Sequence, residues 1–181
     1  MRLFVALALP DAIRAACERL QQGVPGARWI PGENMHLTLR FLGEVSGADF
    51  DDVMHSLADV VVPPFEIEVS GVGHFETRQV PTTLWAGIRP SPALKHLQTK
   101  VERAVRAAGL PPETRKFAPH ITLARLGESD PLRIRNFLQR NALFQPGTIP
   151  VEGFTLYSSH LGKGDPHYRA EVDYLFEEPV Y

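Results

Sequence analysis

The chain has 181 residues, enough for one well-packed core and short for two independent domains. Its 44% hydrophobic and 22% charged residues are those of an ordinary globular protein, and a formal charge of −2 excludes a global field that would gather nucleic acid along a long phosphate track. A single cysteine, Cys17, excludes an intramolecular disulfide and fits a reducing compartment.

The N-terminal run to Pro10 is apolar but too short to span a bilayer. It lacks a cleavage region and reads as a buried strand, Leu3 to Leu9, of a cytoplasmic protein. Ile13, Ala16, Cys17 and Leu20 then follow helical spacing, which makes Cys17 a core residue rather than a nucleophile. A Pro/Gly-rich turn, Val24 to Gly32, leads to a strand opening at His36. Phe50, Val53, Met54 and Leu57 mark a second helix, and Phe65 to Val72 a further strand. Thr82 to Ile88 is rich in β-formers. Ser91-Pro92 is a helix start, with Leu94, Leu97, Val101, Ala104, Val105 and Ala108 on one face. After another turn, Gly109 to Pro112, comes a strand opening at His120. Asp130-Pro131 starts a helix carrying Leu132, Phe137 and Leu138, and strands are expected at Ile149 to Tyr157 and Tyr168 to Phe176.

Two of these strands are copies of one phrase. His36 to Glu44 and His120 to Glu128 agree at six of nine positions, 84 residues apart. Residues two apart on a strand share a face, so His36 and Thr38 line one side and Leu37, Leu39 and Phe41 the other. His120 and Thr122 repeat the arrangement against Ile121 and Leu123. The surroundings repeat as well: each half runs strand, helix, functional strand. The order predicts one α+β unit over residues 1–181, built as two intertwined, pseudo-symmetric lobes. Each lobe is an antiparallel sheet with flanking helices, and the cleft lies between them.

A lone His-x-Thr carries little information, because both residues occur by chance on half-buried strands. Two copies in matching context call for a shared use. No His-Glu-x-x-His or cysteine pair supports a zinc site, and the remaining histidines, His55, His74, His96, His160 and His167, show no pairing pattern. There is no Gly-x-Ser-x-Gly elbow and no phosphate loop of the ATP-binding kind. Two imidazoles that titrate near neutrality supply one base and one acid. Two threonine hydroxyls donate hydrogen bonds to non-bridging phosphate oxygens, where charge gathers in the transition state. A cyclic phosphodiester suits that equipment, since in-line displacement needs acid and base on opposite sides of phosphorus. A module that captures phosphorylated RNA ends or nucleotides without turnover is the alternative, although binding alone favours more Arg and Lys.

The paired motif, His36-Leu37-Thr38-Leu39 and His120-Ile121-Thr122-Leu123, resembles the defining signature of the 2H phosphoesterase superfamily. Within it the chain is most similar to the bacterial and archaeal RNA 2′,3′-cyclic 3′-phosphodiesterases of the 2′-5′ RNA ligase family. Arg2 to Ala6, Asn34 to Glu44, Leu84-Trp85-Ala86-Gly87, Pro119 to Arg125, and Leu156 to Ser159 with Gly164 and Tyr168 carry the likeness. The resemblance implies hydrolysis of RNA 2′,3′-cyclic phosphate ends to 2′-phosphates without metal or other cofactor. It also implies reverse 2′-5′ joining of RNA such as tRNA halves. By the same resemblance His36 donates a proton to the leaving 3′ oxygen, His120 accepts one from water, and Thr38, Thr122 and Arg125 bind phosphate.

Strict alternation puts Arg125 opposite His120 and Thr122, so it reaches a phosphate only if the strand ends, twists or bulges first. Arg40, by the same count, shares the face of His36 and Thr38. Phe4, Trp29, Phe117, Tyr157 and Tyr168 are the aromatic residues expected around the cleft, as core or as stacking platforms for bases. Arg115, Lys116, Lys163 and Arg169 are candidates to guide an RNA backbone. The chain is expected to act as a monomer, with no membrane partner.

Overall fold

Among the described residues, alternating apolar residues with polar neighbours form nine strands, and these pair antiparallel throughout into one sheet. The computed structural model describes residues 1–177; positions 178–181 of the expected unit lie outside them. In chain order the elements are β1 (Arg2–Ala8), α1 (Asp11–Glu18), β2 (Arg28–Trp29), a 3₁₀ turn (Gly32–Asn34) and β3 (His36–Glu44). There follow α2 (Gly47–Leu57), β4 (Phe65–Thr77), β5 (Val80–Ile88), α3 (Pro92–Ala107) and β6 (His120–Arg125). Last come α4 (Pro131–Arg140), β7 (Gly147–Val151), β8 (Gly153–His160) and β9 (His167–Leu175). Among these, no helix is long and apolar enough to cross a membrane.

The strand order is β7-β4-β5-β6-β3-β1-β8-β9, with β2 added to β6. It falls into two halves of like plan, β6-β5-β4-β7 and β3-β1-β8-β9, joined at the centre by β3 and β6. The second half mirrors the first: β1 pairs with β3 as β5 pairs with β6, and each pair brackets a helix in sequence. The lobes are intertwined as the repeat implied. Helix α3, which follows β5, packs on α2 and β3 of the other half, and α1 reaches across to β7. Leu37, Leu39, Ile121 and Leu123 lie in the core under these helices, each at most 3% exposed. Cys17 is fully buried there, and burial pushes its thiol up to about 11, which suits packing rather than reactivity.

The helix starts are those the sequence announced. The side chains of Ser91 and Asp130 cap α3 and α4, accepting the amide N–H of Leu94 and Leu132. Two expectations change. Leu132 is 52% exposed, because Ile134 and Phe137, three apart, form the inward stripe of α4 and leave Leu132 on the other side. The single strand expected at Ile149 to Tyr157 is two strands. The chain leaves β4 at Val151 and joins β1 and β9 from Gly153, crossing from one half-sheet to the other. Gly153 is needed at that crossing, since a Cβ there would stand 2.3 Å from the Tyr174 carbonyl oxygen.

Candidate active site

One cross-strand pair fixes the centre of the cleft. Leu37 lies opposite Ile121 in the antiparallel contact between β3 and β6. Their flanking residues point to the other face, so this register sets His36 diagonally from His120 and each histidine near the other copy's threonine. An approximate two-fold axis passes through the Leu37–Ile121 pair, and His36, Thr38, His120 and Thr122 surround it. The four are partly exposed, whereas Leu37 and Ile121 are wholly buried.

His120 Nδ1 lies 2.7 Å from the Ala118 carbonyl oxygen, and the Asn34 backbone, two residues before His36, draws that ring toward its charged form. A carbonyl only accepts, so Nδ1 of His120 carries the proton and Nε2 is the free, basic nitrogen. Burial pushes His36 down to about 4, against an upward pull from the Asn34 bond, with the charges of His120 and Arg125 adding to the fall. His120 is likewise lowered from the usual histidine value by burial, opposed by the Ala118 bond and assisted by Arg125. Both rings are therefore neutral near pH 7.

The walls differ between the two copies. Phe4 stacks on His36 with ring centroids 4.8 Å apart, Tyr157 stacks on Phe4 at 5.2 Å, and Tyr168 meets His36 edge-on at 5.3 Å. On the other side Phe75 meets His120 edge-on at 4.8 Å, and Trp85 lies 6.5 Å away. Of the aromatic residues expected from sequence, Phe4, Tyr157 and Tyr168 thus come together. Trp29 instead packs toward Phe137 at 6.0 Å, and Phe117 packs against the core.

A bulge decides the two arginines. In both copies the residue after the threonine is extra to the ladder. Ala6 pairs with Thr38 and Val5 with Arg40, skipping Leu39; Trp85 pairs with Thr122 and Leu84 with Ala124, skipping Leu123. The side chains just beyond the bulge change face. Arg125 therefore comes round to the cleft, where its guanidinium donates to Thr83 Oγ1 at 3.3 Å and its charge acts on His36, His120 and Tyr168. Arg40 goes the other way. It is 8% exposed, pairs with Glu102 at 2.5 Å and donates to the carbonyls of Phe41 and Pro111, so the expectation that it shares the face of His36 is overturned. Phe41, at the position equivalent to Arg125, is turned out instead and is 51% exposed.

Phe75 and Trp85 were missed as site residues. The strand expected at Phe65 to Val72 continues as β4 to Thr77. A Cβ on Gly73 would stand 2.2 Å from the Trp85 ring, so the glycine is where the indole lies down. Alternation from Thr83 to Trp85 to Gly87 was the available signal. The basic candidates do not converge: Arg115 pairs with Glu113 and Arg169 with Glu171, while Lys116 and Lys163 are exposed. Among the described residues, no group of three or more His, Cys, Asp or Glu is arranged to hold a metal ion.

The profile of the 2′-5′ RNA ligase superfamily matches residues 9–163. The chain belongs to that superfamily. A Thermotoga maritima protein named RNA 2′,3′-cyclic phosphodiesterase is 31% identical over 183 residues, covering 98% of this chain and 96% of its own length. One of the same name from Thermus thermophilus is 34% identical, covering 93% and 86%. Among solved structures, TT0787 of Thermus thermophilus superimposes with a TM-score of 0.84 at 28% identity, over 99% of this chain and 100% of that one. LigT of Escherichia coli, solved with 3′-AMP, gives 0.81 at 28% identity, over 98% of both chains.

Proposed function

We propose that this member of the superfamily is an RNA 2′,3′-cyclic 3′-phosphodiesterase that hydrolyses RNA 2′,3′-cyclic phosphate ends to 2′-phosphates by metal-free acid–base catalysis. The observation that carries the reading is the Leu37–Ile121 register, which brings two histidines and two threonines round one point. The names of the relatives support the substrate. His120 takes a proton from water, the water oxygen bonds to phosphorus, and the P–O3′ bond breaks as His36 gives its proton to O3′. Thr38, Thr122 and Arg125 hold the non-bridging oxygens as charge collects on them. A His36 held down to about 4 carries no proton to give near pH 7. The phosphodiester anion reverses that by favouring the charged imidazole, so the acid is loaded as substrate enters.

With a ribose 5′-hydroxyl in place of water, the same attack on phosphorus, O3′ leaving, joins RNA pieces such as tRNA halves through a 2′-5′ bond. The two lobes serve this chemistry as one unit, in a monomer acting in the cytoplasm. The test is a short RNA ending in a 2′,3′-cyclic phosphate, incubated in EDTA, with 2′- and 3′-phosphate products separated. A 2′-phosphate is expected. Absence of product with tight RNA binding overturns the reading in favour of a capture module. A cyclic substrate with sulfur at the 3′ position assigns the roles, because a thiolate leaves without an acid. It should restore His36→Ala and leave His120→Ala inactive.

A further inference from the structure

The two copies of the motif are held in different ways. Both histidines are fixed through the residue two before them, but that residue is Asn34 in one copy and Ala118 in the other. Ala118 supplies only its carbonyl. Asn34 also has a side chain, and its Nδ2 donates to the carbonyl oxygen of Pro166 at 2.9 Å, across 132 positions of sequence. Pro166 ends the loop between β8 and β9, and two residues on is Tyr168, whose ring meets His36 edge-on. One residue thus acts on the imidazole through its backbone and holds the β8–β9 loop through its amide.

We propose that Asn34 is a positioning residue of the acid–base pair, tying the orientation of His36 to the 161–166 loop and to Tyr168. This rests on the cyclic phosphodiesterase reading for its kinetic consequence, though not for its geometry. The physical argument is one of lost freedom. The 3₁₀ turn is three residues long, with no side-chain cap, and its last residue carries the bond to His36. A turn that short holds its carbonyl in one direction only if something outside it does the holding, and the bond to Pro166, in the β8–β9 loop of the same half-sheet, is such a contact.

Asn34→Ala removes the amide and keeps the carbonyl. Without the tie His36 samples a second tautomer and Tyr168 withdraws from it. The expected result is a fall in kcat of roughly three- to tenfold, the worth of one hydrogen bond, with KM nearly unchanged. Nitrogen NMR of the histidine rings reads the geometry without any substrate. The Nδ1 and Nε2 signals of His36 should move toward the average of two tautomers while those of His120 stay in place. Asn34→Asp, whose carboxylate cannot donate to a carbonyl, should give the same loss of kcat. Unchanged His36 signals in a folded Asn34→Ala protein overturn the inference, as does equal movement of both histidines, which marks general loosening. Wild-type protein inactive on cyclic ends, yet with His36 signals that shift on substitution, sinks the enzymatic reading and leaves the positioning role standing.

Discussion

Replacing Arg40 by Met separates the bulged strand from the regular one that alternation alone describes. On a regular β3, Arg40 faces the cleft, and its loss lowers activity with little effect on stability. On the bulged strand it is buried with Glu102, whose side chain is 19% exposed and also accepts the Glu113 N–H at 2.9 Å. Removing Arg40 leaves that carboxylate with one bond and strips the Phe41 and Pro111 carbonyls of their donor. Breaking a buried pair in this way costs about 3–5 kcal/mol. For a chain of this size that is a fall in Tm of roughly 6–20 °C. Urea melts followed by circular dichroism, with turnover measured well below the midpoint, read both quantities. Stability should fall while turnover per folded molecule stays close to wild type, and Arg40→Met/Glu102→Leu should recover much of the loss. Arg125→Met should do the reverse, with little change in Tm and a turnover loss on the order of a hundredfold. An Arg40→Met protein of unchanged Tm and abolished turnover would refute the bulge argument.

Further outcomes follow from the same geometry. His36→Ala and His120→Ala should each cost about 10²–10⁴ in turnover, the usual worth of a general acid or base, while the protein still folds. His36 is held at about 4 when folded against 6.5 when unfolded, so the unfolded chain binds the proton first. Its share of the stability is complete above about pH 6.5 and is lost as pH falls toward 4, by about 3 kcal/mol, and His36→Gln should flatten that stretch of a stability–pH curve. Gly73→Ala should displace the Trp85 indole that now occupies the space of its Cβ, and tryptophan fluorescence together with reduced turnover would show it. Gly153→Ala should destabilise the fold by about 1–3 kcal/mol, since the Tyr174 carbonyl stands where its Cβ would go. An unchanged urea midpoint would argue against that close approach.

Local rules of sequence sufficed for most of the elements, the repeat and the central quartet. Periodicity of two sent Leu37 and Ile121 one way and their histidine and threonine neighbours the other. Capping residues at Ser91 and Asp130 marked two helix starts, because their side chains satisfy amides that a helix leaves open. These are local rules, and a repeated phrase obeys them twice. Tertiary structure decided everything that depends on register. A single skipped residue after each threonine exchanged the fates of Arg40 and Arg125, and strict alternation has no means of counting it. The break between Val151 and Gly153 exists because the chain changes half-sheets there, so its partners, not its own residues, end the strand. Phe75 and Trp85 reached His120 through a glycine that served as space. Faces are set by the spacing of neighbours along a chain; which face meets which, and at what offset, is set by residues far apart in sequence.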